Sequence, residues 1–343
     1  MSHKHSKIRA AVRRDRAESY ILTSLVAFAV TVIATRVFLE LTGYPQIGNS
    51  VLHFAHALWG GLLLIVAVFL PLAYANRWAI QASAVLGGIG IGLFIDEVGK
   101  FITQANDYFF PPALSIIYAF ILLNVFVYLT FRRPRKQDPR AAMYSALDGL
   151  QDVLDGDLDT AEAAQIKAQL AVARQSERAE VAALADAIDA YMQQEKGHLG
   201  AAEPDVWKRI VAWGTALGMR MGRRIHRAII SALLVLWGGV VIGYIVVLFR
   251  GGASLNSQVL QWRGALIGIQ VVIGVLMILA LIAWLTGNEE RGMKFAVSGS
   301  LFSLVALQTF YFYLSQFSAI TSTLLQLAFL QILLAYNRWY LRN

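Results

Sequence analysis

Three short stretches decide how this chain reads: Thr35-Arg36-Val37-Phe38-Leu39-Glu40, Leu52-His53-Phe54-Ala55-His56-Ala57-Leu58-Trp59-Gly60-Gly61, and Gly87-Gly88-Ile89-Gly90-Ile91-Gly92-Leu93-Phe94-Ile95-Asp96-Glu97-Val98-Gly99-Lys100. Each belongs to an apolar run long enough to cross about 30 Å of hydrocarbon, which takes roughly 20 helical residues. Each also carries ionisable groups near one end. Lipid offers the backbone no hydrogen-bond partners, so such runs have to be helices. The spacing predicts that Arg36 and Glu40 share a face, as do His53 and His56, and Asp96 and Lys100. At about 1.5 Å per residue, Arg36 lies about 9 Å below its membrane boundary, the histidines within roughly 8 Å of theirs, and Asp96 about 10 Å deep. All seven groups, Glu97 included, therefore fall in one slab near one membrane face. Charges facing lipid are expensive, so they should turn toward one another.

Composition carries the same reading over the whole chain. Of 343 residues, 57% are hydrophobic and only 15% charged, and there is no cysteine. That balance predicts an all-α, polytopic transmembrane helical bundle with a cytoplasmic helical insert. It excludes disulfides, thiolate metal sites and a cysteine nucleophile. Eight spans are expected, at about 19–42, 51–74, 78–103, 111–131, 228–249, 262–286, 293–316 and 319–338. The first is too long for a secretory h-region and reads as a retained span. Loops 43–50 and 104–110 hold no Lys or Arg, whereas the opposite ends carry the N-terminal basic cluster, Arg77, Arg132, Arg133, Arg135 and Lys136. The positive-inside rule then puts both termini in the cytoplasm of a bacterial cell, with the protein in the inner membrane. The net charge of +8 reads as contact with anionic lipid at the cytoplasmic face, not with nucleic acid. The organisation expected is a basic N-terminus (1–18), a four-span bundle (19–131), a cytoplasmic helical insert (132–204), a basic interfacial helix (205–227) and a second four-span bundle (228–343).

Within the insert, Asp155-Gly156-Asp157-Leu158-Asp159 interrupts a helix, and Asp159 with Glu162 predicts a capping box that starts the next. A calcium loop fails here, because the Gly and Glu positions of an EF-hand fall on Thr160 and Ile166. A third helix is expected from near Ser176 to Gln194. The interfacial helix would place Trp207, Lys208, Arg209, Arg220, Arg223, Arg224 and Arg227 at the membrane surface. The loop aromatics Tyr44, Tyr108, Phe109 and Phe110 read as headgroup anchors. In the later spans Gln270, Gln308, Gln326 and Gln331 read as buried interhelical hydrogen-bonding groups.

Three chemistries fit Arg36, Glu40, His53, His56, Asp96, Glu97 and Lys100. Histidine and carboxylates are the usual parts of a proton or cation relay, which would serve transport or sensing. His53, His56, Asp96 and Glu97 could instead ligate a divalent metal such as zinc, giving a metal-dependent hydrolase acting on lipid or a periplasmic substrate. The third reading is an ion-paired structural cluster in a structural or assembly subunit. Small residues favour close packing around the group: Gly88 and Gly92 on the third span, Gly60 and Gly61 on the second.

The elements Leu52-His53…His56…Leu58-Trp59-Gly60-Gly61 and Gly88…Phe94-Ile95-Asp96-Glu97…Lys100-Phe101, with Thr42-Gly43-Tyr44-Pro45 and Asn106-Asp107-Tyr108-Phe109, resemble a group of bacterial integral membrane proteins of unknown activity. That resemblance covers about 35–131. A looser similarity is to membrane hydrolases of the alkaline ceramidase and adiponectin-receptor type, and implies His and Asp zinc ligands on several spans. The stretch Leu154-Asp155-Gly156-Asp157-Leu158-Asp159 with Ala161-Glu162-Ala163-Ala164 resembles the helical core of zinc-binding anti-sigma domains, and implies a regulatory cytoplasmic partner for the insert.

Overall fold

The computed structural model describes residues 11–43, 55–105, 107–108, 110–133, 138–156, 158–194, 222–250 and 257–341. The protein is an all-α polytopic bundle, with eight helices among the described residues long and apolar enough to cross a membrane. It divides into two compact units, residues 1–97 with 123–205, and residues 98–122 with 206–343.

The first unit is built on three long helices, α1 (Ala17–Thr42), α2 (His56–Ala73) and α3 (Arg77–Asp96). Glycine lets α3 touch both neighbours. A Cβ on Gly90 would stand 2.8 Å from the Gly60 carbonyl on α2, and one on Gly92 would stand 2.8 Å from Thr31 Cβ on α1. At Gly88 the added carbon would run into the Ser24 carbonyl of α1. Gly60 thus works as expected, whereas nothing lies within 4 Å of a Cβ on Gly61. Small-residue contact replaces the hydrophobic effect as the packing force between helices in lipid. Gly88→Val puts a branched side chain against backbone that cannot yield. The expected cost is about 3 kcal/mol, at the upper end of overpacking penalties, measured as a lowered unfolding midpoint in detergent.

The third span is not the continuous helix expected over 78–103. It stops at Asp96; Glu97 leaves helical geometry (φ −88°, ψ 9°), and a short helix α4 (Val98–Ile102) follows in the second unit. The insert supplies α6 (Pro139–Asp155), α7 (Thr160–Ala173) and α8 (Ala179–Gln194). Gly156 closes α6 in the left-handed region (φ 72°), and Asp159 and Glu162 form the capping box that opens α7. Ser176 Oγ accepts from Arg178 N just before α8. These three helices pack on Met143, Ala146, Ile166, Leu170 and Ile188.

The second unit holds α9 (Gly222–Arg250), α10 (Ser257–Leu285), α11 (Glu289–Phe302), a π-helical turn (Ser303–Leu307) and α12 (Gln308–Tyr336); α5 (Pro111–Arg132) begins here and ends in the first unit. Trp284, Met277, Ile273, Leu333 and Tyr336 form its core. Ser322 Oγ donates to Gln308 Oε1 at 2.9 Å across 14 residues of sequence. A straight helix would hold them about 21 Å apart. The chain therefore folds back on itself, and the last two spans are Glu289–Ser315 and Ser318–Leu341.

Candidate functional site

Four side chains meet where α1, α2 and α3 carry their polar ends. Arg36 Nε donates to Asp96 Oδ1 at 2.5 Å, and Arg36 Nη2 donates to the Asp96 carbonyl at 3.0 Å. That carbonyl can accept a side chain because the helix ends there. Asp96 Oδ2 lies 3.1 Å from His56 Nε2, and Glu97 Oε1 lies 3.3 Å from His56 Nδ1. The second Glu97 oxygen accepts from the Ala57 backbone N–H at 3.3 Å. Ala55, the residue before α2, has no side chain able to cap the helix. Glu97 therefore caps α2 from a different helix, satisfying an orphan donor and meeting the positive end of the helix dipole.

Burial sorts the four. Arg36 is 2% exposed, Asp96 0% and Glu97 1%, while the His56 side chain is 23% exposed. The imidazole is the part of this group reached from outside the fold. Its two ring nitrogens sit at hydrogen-bond distance from two different carboxylates. With both carboxylates ionised, each nitrogen can donate to its carboxylate only when both carry hydrogen, which is the imidazolium. Then Arg36 and His56 balance Asp96 and Glu97, and the four described groups sum to zero. With neutral imidazole and ionised carboxylates, one nitrogen presents a lone pair to a carboxylate, an unfavourable contact in a low-dielectric setting.

Three further site residues were expected. His53 lies outside the described residues. Glu40 is exposed, one turn beyond Arg36, and makes no ion pair among the described residues. Lys100 sits on α4 in the second unit, its Nζ 5.4 Å from the centre of the Tyr108 ring. Tyr108 itself is 9% exposed and buried beneath that lysine, not displayed as an anchor. The expected zinc set of His53, His56, Asp96 and Glu97 includes His53 and so lies partly outside the described residues. Asp96 and Glu97 each lie against a different nitrogen of the His56 ring, and Arg36 takes one Asp96 oxygen. No three described His, Asp or Glu side chains are placed to hold an ion.

The opposite ends of α1 and α3 carry a second cluster, which the sequence reading reduced to a topology signal. Arg77, first residue of α3, is paired with Asp152 of α6, and its Nη2 lies 3.9 Å from Asp148. Arg16, just before α1, reaches Glu162 of α7 at 2.6 Å, and Arg14 reaches Asp148 at 3.4 Å. Asn76 Nδ2 donates to Asp155 at 2.8 Å. The α6–α7 face of the insert is thus latched onto the helices that form the His56 cluster. Burial pushes the Asp15 carboxyl up in this cleft, against the opposing pull of Arg16 and Arg77. Burial also acts against the Arg16 charge, but its bond to Glu162 more than offsets that and raises it.

Of the expected membrane-surface residues, Trp207, Lys208, Arg209 and Arg220 lie outside the described residues. Arg223, Arg224 and Arg227 belong to α9, continuous with the fifth span. Arg223 and Arg227 converge on Glu289 at 3.0 and 3.3 Å, and Tyr336 OH donates to the same carboxylate at 2.6 Å. Gln331 is exposed, whereas Gln270, Gln308 and Gln326 are buried as expected.

No family model matches the chain, and neither a curated protein nor a solved structure matches it.

Proposed function

We propose that this protein is a proton-responsive membrane sensor whose outward-facing site is His56, held by Asp96, Glu97 and Arg36. The observation that carries the reading is the placement of both His56 ring nitrogens on carboxylates that are themselves buried. Imidazole is a side chain that can gain or lose a proton without leaving its place, and loss of the proton takes a positive charge from between the two carboxylates. Loss of the proton removes a donor from Asp96 or Glu97. It thereby weakens either the link between α2 and the end of α3 or the cap that Glu97 places on α2. The latch supports transmission: α1 and α3 each run from this cluster to the residues that grip the insert. The Lys and Arg distribution puts the insert in the cytoplasm and His56 at the outer face of the inner membrane. Anionic lipid at the cytoplasmic leaflet and a cytoplasmic partner for the insert complete the proposal.

The absence of cysteine from the sequence makes the test direct. Spin labels at Tyr74→Cys and Lys167→Cys, both on exposed positions of the first unit, report the distance between the end of α2 and the insert. In nanodiscs that distance should shift with pH, and His56→Gln should abolish the shift. A pH response unchanged in His56→Gln refutes the proposal. A proton flux in liposomes that needs His56, with no movement of the insert, would assign the same site to transport.

A further inference from the structure

The second unit contains a polar seam at mid-membrane depth with no role in the His56 cluster. Ser303 opens the π-helical turn, and Gln308 follows it. In an antiparallel hairpin pinned by the bond from Ser322 Oγ to Gln308 Oε1, Ser303 lies roughly 6–7 Å below Gln308, and Gln326 about 6 Å below Ser322 on the returning helix. The two side chains thus share a depth. Gln270 joins them from α10. Cβ atoms on Gly292 and Gly299 of α11 would touch Trp284 and Leu276 of α10, and extending that antiparallel register brings Gln270 level with the π turn.

Four polar atoms here are buried and lack a hydrogen-bond partner among the described residues: Ser303 Oγ, Gln308 Nε2, Gln326 Oε1 and Gln270 Oε1. Ser303 and Gln308 are 0% exposed, Gln270 2% and Gln326 8%. Other polar groups nearby are satisfied. The Leu304 carbonyl accepts from Tyr118 OH at 2.6 Å, and Gln270 Nε2 donates to Tyr311 OH at 3.4 Å. Exchanging N and O of the Gln308 amide changes the unpaired atom from donor to acceptor without removing it, since the Ser322 hydroxyl can play either part. The seam is uncharged and offers both donors and acceptors. A desolvated cation would want carboxylates and no amide N–H; an anion would want the reverse. Water has two donors and two acceptors and meets such a mixed set. A π turn opens a helix locally and recurs at functional sites.

We infer that the centre of the second unit is a hydration site, with buried water bridging Ser303, Gln308, Gln326 and Gln270 beside the π turn. The wet zone lies roughly 10–18 Å from the span ends at Val259, Ser315 and Ser318, within the hydrocarbon layer.

Water-edited solid-state NMR on the full chain in lipid, uniformly labelled with ¹⁵N, tests this. Magnetisation from water should reach the Gln270, Gln308 and Gln326 amides within about twofold of the rate for exposed Gln261, and about fivefold faster than the buried Ile273 and Leu333 backbone amides. Build-up no faster than at Ile273 would overturn the inference, and this experiment needs no variant. Gln326→Leu gives an independent sign. A carbonyl satisfied by water is lost at a cost, so the melting temperature falls; a dry, unpaired carbonyl is better removed, and a rise would overturn the inference.

Discussion

Arg36→Met should lower the stability of the first unit by about 3–5 kcal/mol, the range for removing one partner of a buried ion pair. The size follows from what is left behind. Asp96 is fully buried, and its Oδ1 and carbonyl both lose the guanidinium. Asp96→Leu alone removes the carboxylate from beside the buried Arg36 charge and should cost a similar amount. The double variant Arg36→Met/Asp96→Leu should recover most of the loss, because an apolar pair of similar volume replaces both desolvated charges at once. Equilibrium unfolding in mixed micelles, run as a double-mutant cycle, gives the coupling. Losses under about 1 kcal/mol for both single variants would mean the pair is solvated and the cluster open.

The second large effect is expected at the latch. Arg77→Met leaves Asp152 and Asp148 without the cation between them, in a cleft where Arg77 and Asp152 side chains are each 10% exposed. The penalty should be about 3 kcal/mol, paid locally, since the insert has its own core of Ala146, Ile166 and Leu170. The insert should undock rather than unfold. Limited proteolysis between α5 and α6 should accelerate on the order of 100-fold, while protection inside α6–α8 stays within a few-fold. Equal protection before and after the substitution would show that the ion pair does not hold the insert.

The spans were legible because hydropathy over 20 residues is a local signal, and the Asp159–Glu162 capping box because its partners lie three residues apart. The two clusters were legible only in part. Arg36, His56, Asp96 and Glu97 could be placed at one depth by counting residues, and they do meet. That Glu97 ends α3 and caps α2 could not be read. No proline or glycine marks position 97, and the interactions that favour the break come from α1 and α2. Arg77 looked like a positive-inside residue because its partner Asp152 is 75 residues away, on a helix whose docking no local pattern announces. The buried and exposed glutamines differed for a related reason: Gln326 and Gln331 lie in a helix whose faces differ little in polarity, which gives no phase by which to tell the packed face from the lipid face. The π turn and its unpaired polar atoms left no mark in composition beyond Ser303 and Gln308 themselves.

The central claim is that His56 is an imidazolium bonded to Asp96 and Glu97 when the cluster is closed. The most direct measurement is ¹⁵N NMR of the His56 ring in membrane-embedded protein, assigned by its loss in His56→Gln. It is taken where a contact between Arg36 Nε and the Asp96 carboxyl carbon shows the pair intact. The predicted result is two protonated ring nitrogens, with Nε2 and Nδ1 correlated to the Asp96 and Glu97 carboxyl carbons respectively. A single neutral tautomer under the same conditions would contradict it and return the cluster to a fixed structural ion pair.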